Sequence, residues 1–187
     1  VLFRSQNLNA DDRRDQYLQK AHEEVPKADF VIRLTQAEQM MAHQQYSEAL
    51  ELLNRLKDER PNQHKLLQLL IQSLSALNHW DTVLELLPRL RKQQVFSTDE
   101  LTQLELQAET RLLSQHSERG GHGAVVKQWN RLAKKQRHNP ILFYHYITLL
   151  LDVGSQEECE TLLRKEINHQ WSEQLVTLYG TFSANRL

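Results

Sequence analysis

The sequence predicts an all-helical fold, a right-handed superhelical array of antiparallel helix pairs. Three observations predict it. First, a twelve-residue phrase recurs at a spacing of 34: Gln45-Tyr46-Ser47-Glu48-Ala49-Leu50-Glu51-Leu52-Leu53-Asn54-Arg55-Leu56 returns as His79-Trp80-Asp81-Thr82-Val83-Leu84-Glu85-Leu86-Leu87-Pro88-Arg89-Leu90. Leu50, Glu51, Leu52, Leu53, Arg55 and Leu56 are identical to their partners, and aromatic Tyr46 meets aromatic Trp80. A repeat of 20–50 residues marks an array in which each unit buries its face against the next. Second, Leu, Gln, Glu, Lys and Arg are abundant, whereas Gly numbers 5 and Pro 4; the abundant types are good helix formers. Third, alternating strand-like runs are few.

The elements follow in order. Leu18, Ala21 and Pro26 match the end of a second helix, so the chain opens inside a partial repeat, 1–26. Repeat 28–61 puts small Ala37 where two helices approach, then Ala49, Leu53 and Leu56 at helical spacing, with Pro61 closing it. Repeat 62–95 carries Ile71 at the small position and Pro88 inside its second helix, where a kink is expected. In 97–140, Ser97 and Glu100 form a capping box. A helix then runs to about Ser114, and Gly120, Gly121 and Gly123 break the chain. A second helix bears Val125, Val126, Trp129 and Leu132, and Pro140 ends the unit. In 140–168, Gly154 turns the chain and Ser155 with Glu158 reads as another capping box. Cys159, Leu162 and Leu163 align with Ala49, Leu52 and Leu53. Trp171, Leu175, Leu178, Tyr179 and Gly180 give a terminal helix in 170–187.

Composition narrows the function. The net charge of −1 over 187 residues speaks against general nucleic-acid binding. From Arg119 to Leu151 there is no Asp or Glu, but Arg119, Lys127, Arg131, Lys134, Lys135 and Arg137 are present. One cysteine, Cys159, excludes an intrachain disulfide and aligns with Ala49 as a small packing residue. No apolar run reaches the roughly 20 residues that span a bilayer. Val1 is not an initiator, so a fragment of a longer chain is expected.

The spacing of 34, with the order of residues from Ala37 to Pro61, resembles the tetratricopeptide (TPR) pattern, although Arg33 and Gln36 stand where that pattern has an aromatic and a leucine. Several phrases resemble the C-terminal TPR domain of HemY-type proteins of the proteobacterial inner membrane: Asp12-Arg13-Arg14-Asp15-Gln16-Tyr17-Leu18, Leu86-Leu87-Pro88-Arg89-Leu90-Arg91-Lys92, Trp129-Asn130-Arg131-Leu132, Arg137-His138-Asn139-Pro140, and 170–180 from Gln170-Trp171 to Tyr179-Gly180. The resemblance implies an N-terminal membrane anchor before residue 1 and an association with late haem synthesis. It brings no catalytic residues. The name is shared with a flavin-dependent porphyrinogen oxidase, but no Gly-x-Gly-x-x-Gly follows a strand here, so no flavin activity transfers.

No enzymatic constellation emerges, and no cofactor or metal is expected. Nine histidines include no pair spaced by three or four, which two histidine ligands on one helix face require. His138 and His145 are the best placed for porphyrin ligation. Gly120-Gly121-His122-Gly123 lacks the Lys-Ser/Thr of a phosphate-binding loop and reads as an inter-helix loop. Lys127, Arg131, Lys134 and His138, spaced by four, three and four, read as a basic stripe down one helix. Such a stripe is either a solvated face or a surface for anionic lipid or an acidic partner. The TPR resemblance places Glu38 and Met41, then Gln68, Gln72 and Ser75, then Tyr144 and Thr148 on the concave partner groove.

The expected function is therefore a non-catalytic scaffold at the inner membrane, leaning to the cytoplasmic side, that binds protein partners, tetrapyrrole-synthesis enzymes first among them. The alternatives are a porphyrin or haem carrier or enzyme-assisting factor, and an adaptor for cell-envelope assembly.

Overall fold

A computed structural model describes residue 25 and residues 28–94 and 96–184. The opening partial repeat, with Leu18, Ala21 and Pro26, lies outside the described residues, as do Val95 and the last three positions. Among the described residues every regular element is helical, so the all-helical fold holds. The chain forms two compact units, one reaching to His79 and the other beginning at Trp80.

In the first unit, α1 spans residues 28–42, α2 Tyr46–Glu59 and α3 His64–Ala76. Phe30, Leu34 and Ala37 of α1 are buried, as are Ala49, Leu53 and Leu56 of α2 and Leu66, Leu67, Leu70 and Leu74 of α3. Each buried leucine contributes roughly 1.5–3 kcal/mol. The turn after α1 closes with Gln45 N–H donating to Met40 O at 2.9 Å and Gln44 N–H to Met41 O at 3.0 Å. Gln44 takes the left-handed conformation, φ 61°. The turn after α3 repeats this pattern 34 residues on. Asn78 has φ 59°, and His79 N–H donates to Leu74 O. Both are Schellman closures built without glycine. Arg33 pairs with Asp29 and Glu59, and Arg60 lies over the Phe30 ring, 4.6 Å from its centroid.

The second unit contains α4 Trp80–Gln93, α5 Thr98–Arg131, the single turn α6 Lys134–Arg137, α7 Pro140–Asp152, α8 Gln156–His169 and α9 Glu173–Ala184. Helix α4 continues through Pro88. Ser97 caps α5 as the sequence predicts, its Oγ accepting from Glu100 N–H while Glu100 Oε2 accepts from Ser97 N–H. α5 breaks at Gly121 (φ 57°, ψ −147°), a conformation open to glycine, so it is two limbs that meet at the predicted glycine cluster. Pro140 opens α7 at its first turn; it does not close the preceding unit. The Ser155 side chain makes no cap bond to α8, contrary to expectation. Glu158 reaches His122 Nε2 at 2.6 Å instead.

The buried positions keep a register that extends the sequence recurrence. Ala49, Val83, Val125 and Cys159 are all buried, as are Leu53, Leu87, Trp129 and Leu163. Leu56, Leu90 and Leu132 are buried too, and the fourth place in that series belongs to Glu166. On the first helices of the pairs, Leu67 and Phe143 are buried and the place between them belongs to Glu109. Glu166 therefore stands where the sister helices bury leucine, whereas the place of Glu109 is charged in α1 as well, where Arg33 holds it. The core around them joins Leu113, Val125, Trp129, Leu142, Tyr146, Ile147, Leu150, Cys159 and Leu175.

Candidate functional sites

Helices α7 and α9 border a groove of about 730 Å³, lined by Ile141, Tyr144, Glu173, Gln174, Thr177, Leu178 and Thr181. Ile141 is 57% exposed and Tyr144 40%, although both lie on a helix whose other side is core. Tyr144 is thus on a groove; Thr148, one turn later, is half-buried and donates its hydroxyl to Tyr144 O. In the first unit, Glu38, Met41 and Gln72 line a second groove with Tyr46, Lys65 and Leu69. Lys65 Nζ pairs with Glu38 Oε1 at 2.6 Å across it. Gln68 and Ser75 are half-buried and do not line it.

The basic residues Lys127, Arg131 and Lys134 are all exposed. They do not form one stripe down one helix. The helix ends at Arg131, because Leu132 and Ala133 turn extended, with ψ 144° and 151°. The turn sinks Leu132 into the core and restarts the chain as α6, where Ala133 N–H donates to Gln136 Oε1. Lys134 sits on that short turn, and His138 faces inward.

His138 Nδ1 lies 2.8 Å from Glu166 Oε1. Its ring stacks on that of His169, with centroids 4.3 Å apart and planes 11° from parallel. Glu166 and His169 are three residues apart on α8, which sets them on one face. A ring nitrogen from each histidine and a carboxylate oxygen fall within 4.8 Å of one another. Trp129, Phe143, Leu162, Lys134, Arg137 and Lys165 line the adjoining cleft of about 400 Å³. Histidine spacing alone does not reveal Glu166-x-x-His169. The signal was present: Glu166 stands 34 residues after Leu132, at a core place. His145 is not part of this group. It turns the other way, bonding Ser114 Oγ at 2.8 Å, and burial pushes its imidazole below the usual range.

Glu109 is the second buried carboxylate, 7% exposed. Burial first, then the charges of Glu105 and Asp81, push it up to about 7, against a hydrogen bond from Gln136 that lowers it. Gln136 Nε2 donates to Glu109 Oε1 at 3.4 Å and to Glu105 Oε1 at 3.1 Å, while Glu109 Oε2 is buried without a partner. Thr98, Thr102, Arg91 and Lys135 line the same cleft. Cys159 is buried as the register requires. Burial raises its thiol to about 11, which makes it a packing residue and a poor nucleophile at neutral pH.

Comparison with known proteins finds a distant similarity. The chain is 20% identical over 172 residues to Protein HemY of Escherichia coli K12, and equally to Protein HemY of Shigella flexneri. The match takes in 92% of this chain and 43% of each of those proteins, so the chain spans less than half the length of the curated relatives it matches. No family model matches the chain, and no solved structure does. The similarity to HemY is distant and runs along nearly the whole chain. Among the described residues, no helix is long and apolar enough to cross a membrane.

Proposed function

We propose that this domain is a non-catalytic helical-repeat scaffold that holds a protein partner, and that the partner is an enzyme of late tetrapyrrole synthesis. The observation that carries the reading is the α7–α9 groove. Ile141 and Tyr144 are a large aliphatic and an aromatic side chain left in solvent on a helix that otherwise builds the core. Exposed aromatic anchors on a rigid element are the side chains that dominate protein interfaces. The polar rim of Glu173, Gln174 and Thr177 fits a solvent-accessible border around them. The likeness to HemY, and the phrases that carry it, support haem synthesis as the setting.

In this reading the domain is held at the inner membrane by a segment outside this chain. Lys127, Arg131 and Lys134 face anionic lipid on the cytoplasmic side, each basic group near such a surface contributing about 1 kcal/mol. The mechanism is binding: a preformed groove lowers the ordering cost of association, and no bond is made or broken. The test is affinity capture of the full-length protein from its native cells with mass spectrometry, alongside Ile141→Asp and Tyr144→Ala. Recovery of a tetrapyrrole-synthesis enzyme by the parent and its loss in both variants supports the reading. Recovery of the same proteins by all three removes the groove from it.

A further inference from the structure

We propose that His138, Glu166 and His169 form a binding site for a divalent transition-metal ion of the zinc class, independent of the partner groove. The first ground is the place of Glu166. Leu56, Leu90 and Leu132 show that this position wants an apolar side chain, yet α8 buries a carboxylate there, 9% exposed. A carboxylate is costly to bury unless it is paired, and here its partner is His138, so α8 keeps a polar contact where the sister helices have none. The second ground is convergence. His138 enters from the end of α6 and meets Glu166 at 2.8 Å, and His169 follows Glu166 by one helical turn. One ligand atom from each of the three lies within 4.8 Å of the others. Tetrahedral zinc, with bonds of about 2.0–2.2 Å, sets its ligand atoms about 3.3–3.5 Å apart. Imidazole lone pairs lie in the ring plane, so binding requires the stacked rings of His138 and His169 to turn out of parallel, and exposed His169 is the one free to do so.

The ligand set selects the metal. Two imidazole nitrogens with one carboxylate suit zinc and its first-row neighbours, whereas magnesium and calcium take oxygen ligands. Three protein ligands leave a position open, and the cleft beside them has about 400 Å³, room for several waters of about 30 Å³ each. Lys134, Arg137 and Lys165 line that cleft. They oppose a bare dication and favour an anionic fourth ligand, a hydroxide or a carboxylate.

The experiment is calorimetric titration of the tag-free 187-residue chain with zinc chloride, with magnesium chloride as a control. Cobalt(II) substitution, read by visible absorption, reports the coordination. Parent chain and His43→Ala, which removes an exposed histidine of the first unit, should bind one zinc per chain and no magnesium. Loss of a group that merely orients a metal ligand weakens binding 10–100-fold, so loss of a ligand should weaken it at least tenfold. Glu166→Leu restores the residue of the sister helices and should fold at least as stably as the parent while losing zinc. His169→Ala alters an exposed side chain and decides the matter even if Glu166→Leu fails to fold. Absence of one-to-one zinc binding, or binding unchanged in His169→Ala, overturns the proposal.

Discussion

Trp129 lies flat on Tyr146, with ring centroids 4.1 Å apart and planes within 1° of parallel. The stack joins the second limb of α5 to α7, and Phe143 meets the same indole edge-on at 6.0 Å. Aromatic pairs of this kind contribute about 0.5–1.5 kcal/mol beyond the area they bury. Trp129→Ala should therefore lower stability by about 3–5 kcal/mol in urea unfolding. A loss under about 1 kcal/mol would mean that the limb does not depend on this contact.

Ala49 is fully buried, like Val83 and Cys159 in the same register. Ala49→Leu should overpack the α2 interface and cost about 1–3 kcal/mol. An unchanged melting temperature would place the helix register elsewhere.

Glu109 makes stability depend on pH. Its folded-state value, about 7, lies above the ordinary 4.5, so the folded protein holds a proton that the unfolded chain has released. Stability from this group is greatest below about pH 4.5, falls as pH rises to about 7, and is level above that. Glu109→Gln should remove that slope and stabilise the protein at pH 8 by about 1–2 kcal/mol, discounted for solvent reaching the cleft. A variant less stable than the parent at pH 8 would contradict the assignment.

The basic residues give a salt-dependent prediction. Reversal of Lys127, Arg131 and Lys134 to Glu should weaken binding to anionic phospholipid vesicles, with the parent's own binding falling as salt is raised. Because all three are exposed, the melting temperature should stay within a few degrees. Vesicle binding equal to that of the parent would remove the membrane role from this face.

The helices were legible because the 34-residue phrase carries its own apolar stripe, and the all-helical class follows from that stripe and a shortage of breakers. The turns were less so. Gly154 announces one Schellman closure and Asn78, of the type next most at ease in the left-handed region, another, but Gln44 makes the same turn with nothing in its type to announce it. The spacing of Lys127, Arg131, Lys134 and His138 fits an unbroken helix. The chain instead turns extended at Leu132 and Ala133, and Leu132 is buried there. The two buried carboxylates are not legible from residue type, since Glu is mostly exposed. Their register with Leu67 and Leu132 was in the sequence. Their partners, Gln136 and His138, come from elsewhere in the chain and appear only once α6 is placed.

The central claim, that the α7–α9 groove holds a partner, is tested most directly by site-specific photocrosslinking. A benzophenone amino acid replaces Tyr144 in the full-length protein in its native cells, with exposed Glu51 of α2 replaced in a parallel strain as the control. The account predicts a discrete crosslinked adduct from position 144, identified by mass spectrometry as an enzyme of tetrapyrrole synthesis and missing from position 51. No adduct from position 144, or the same adducts from both positions, would contradict it.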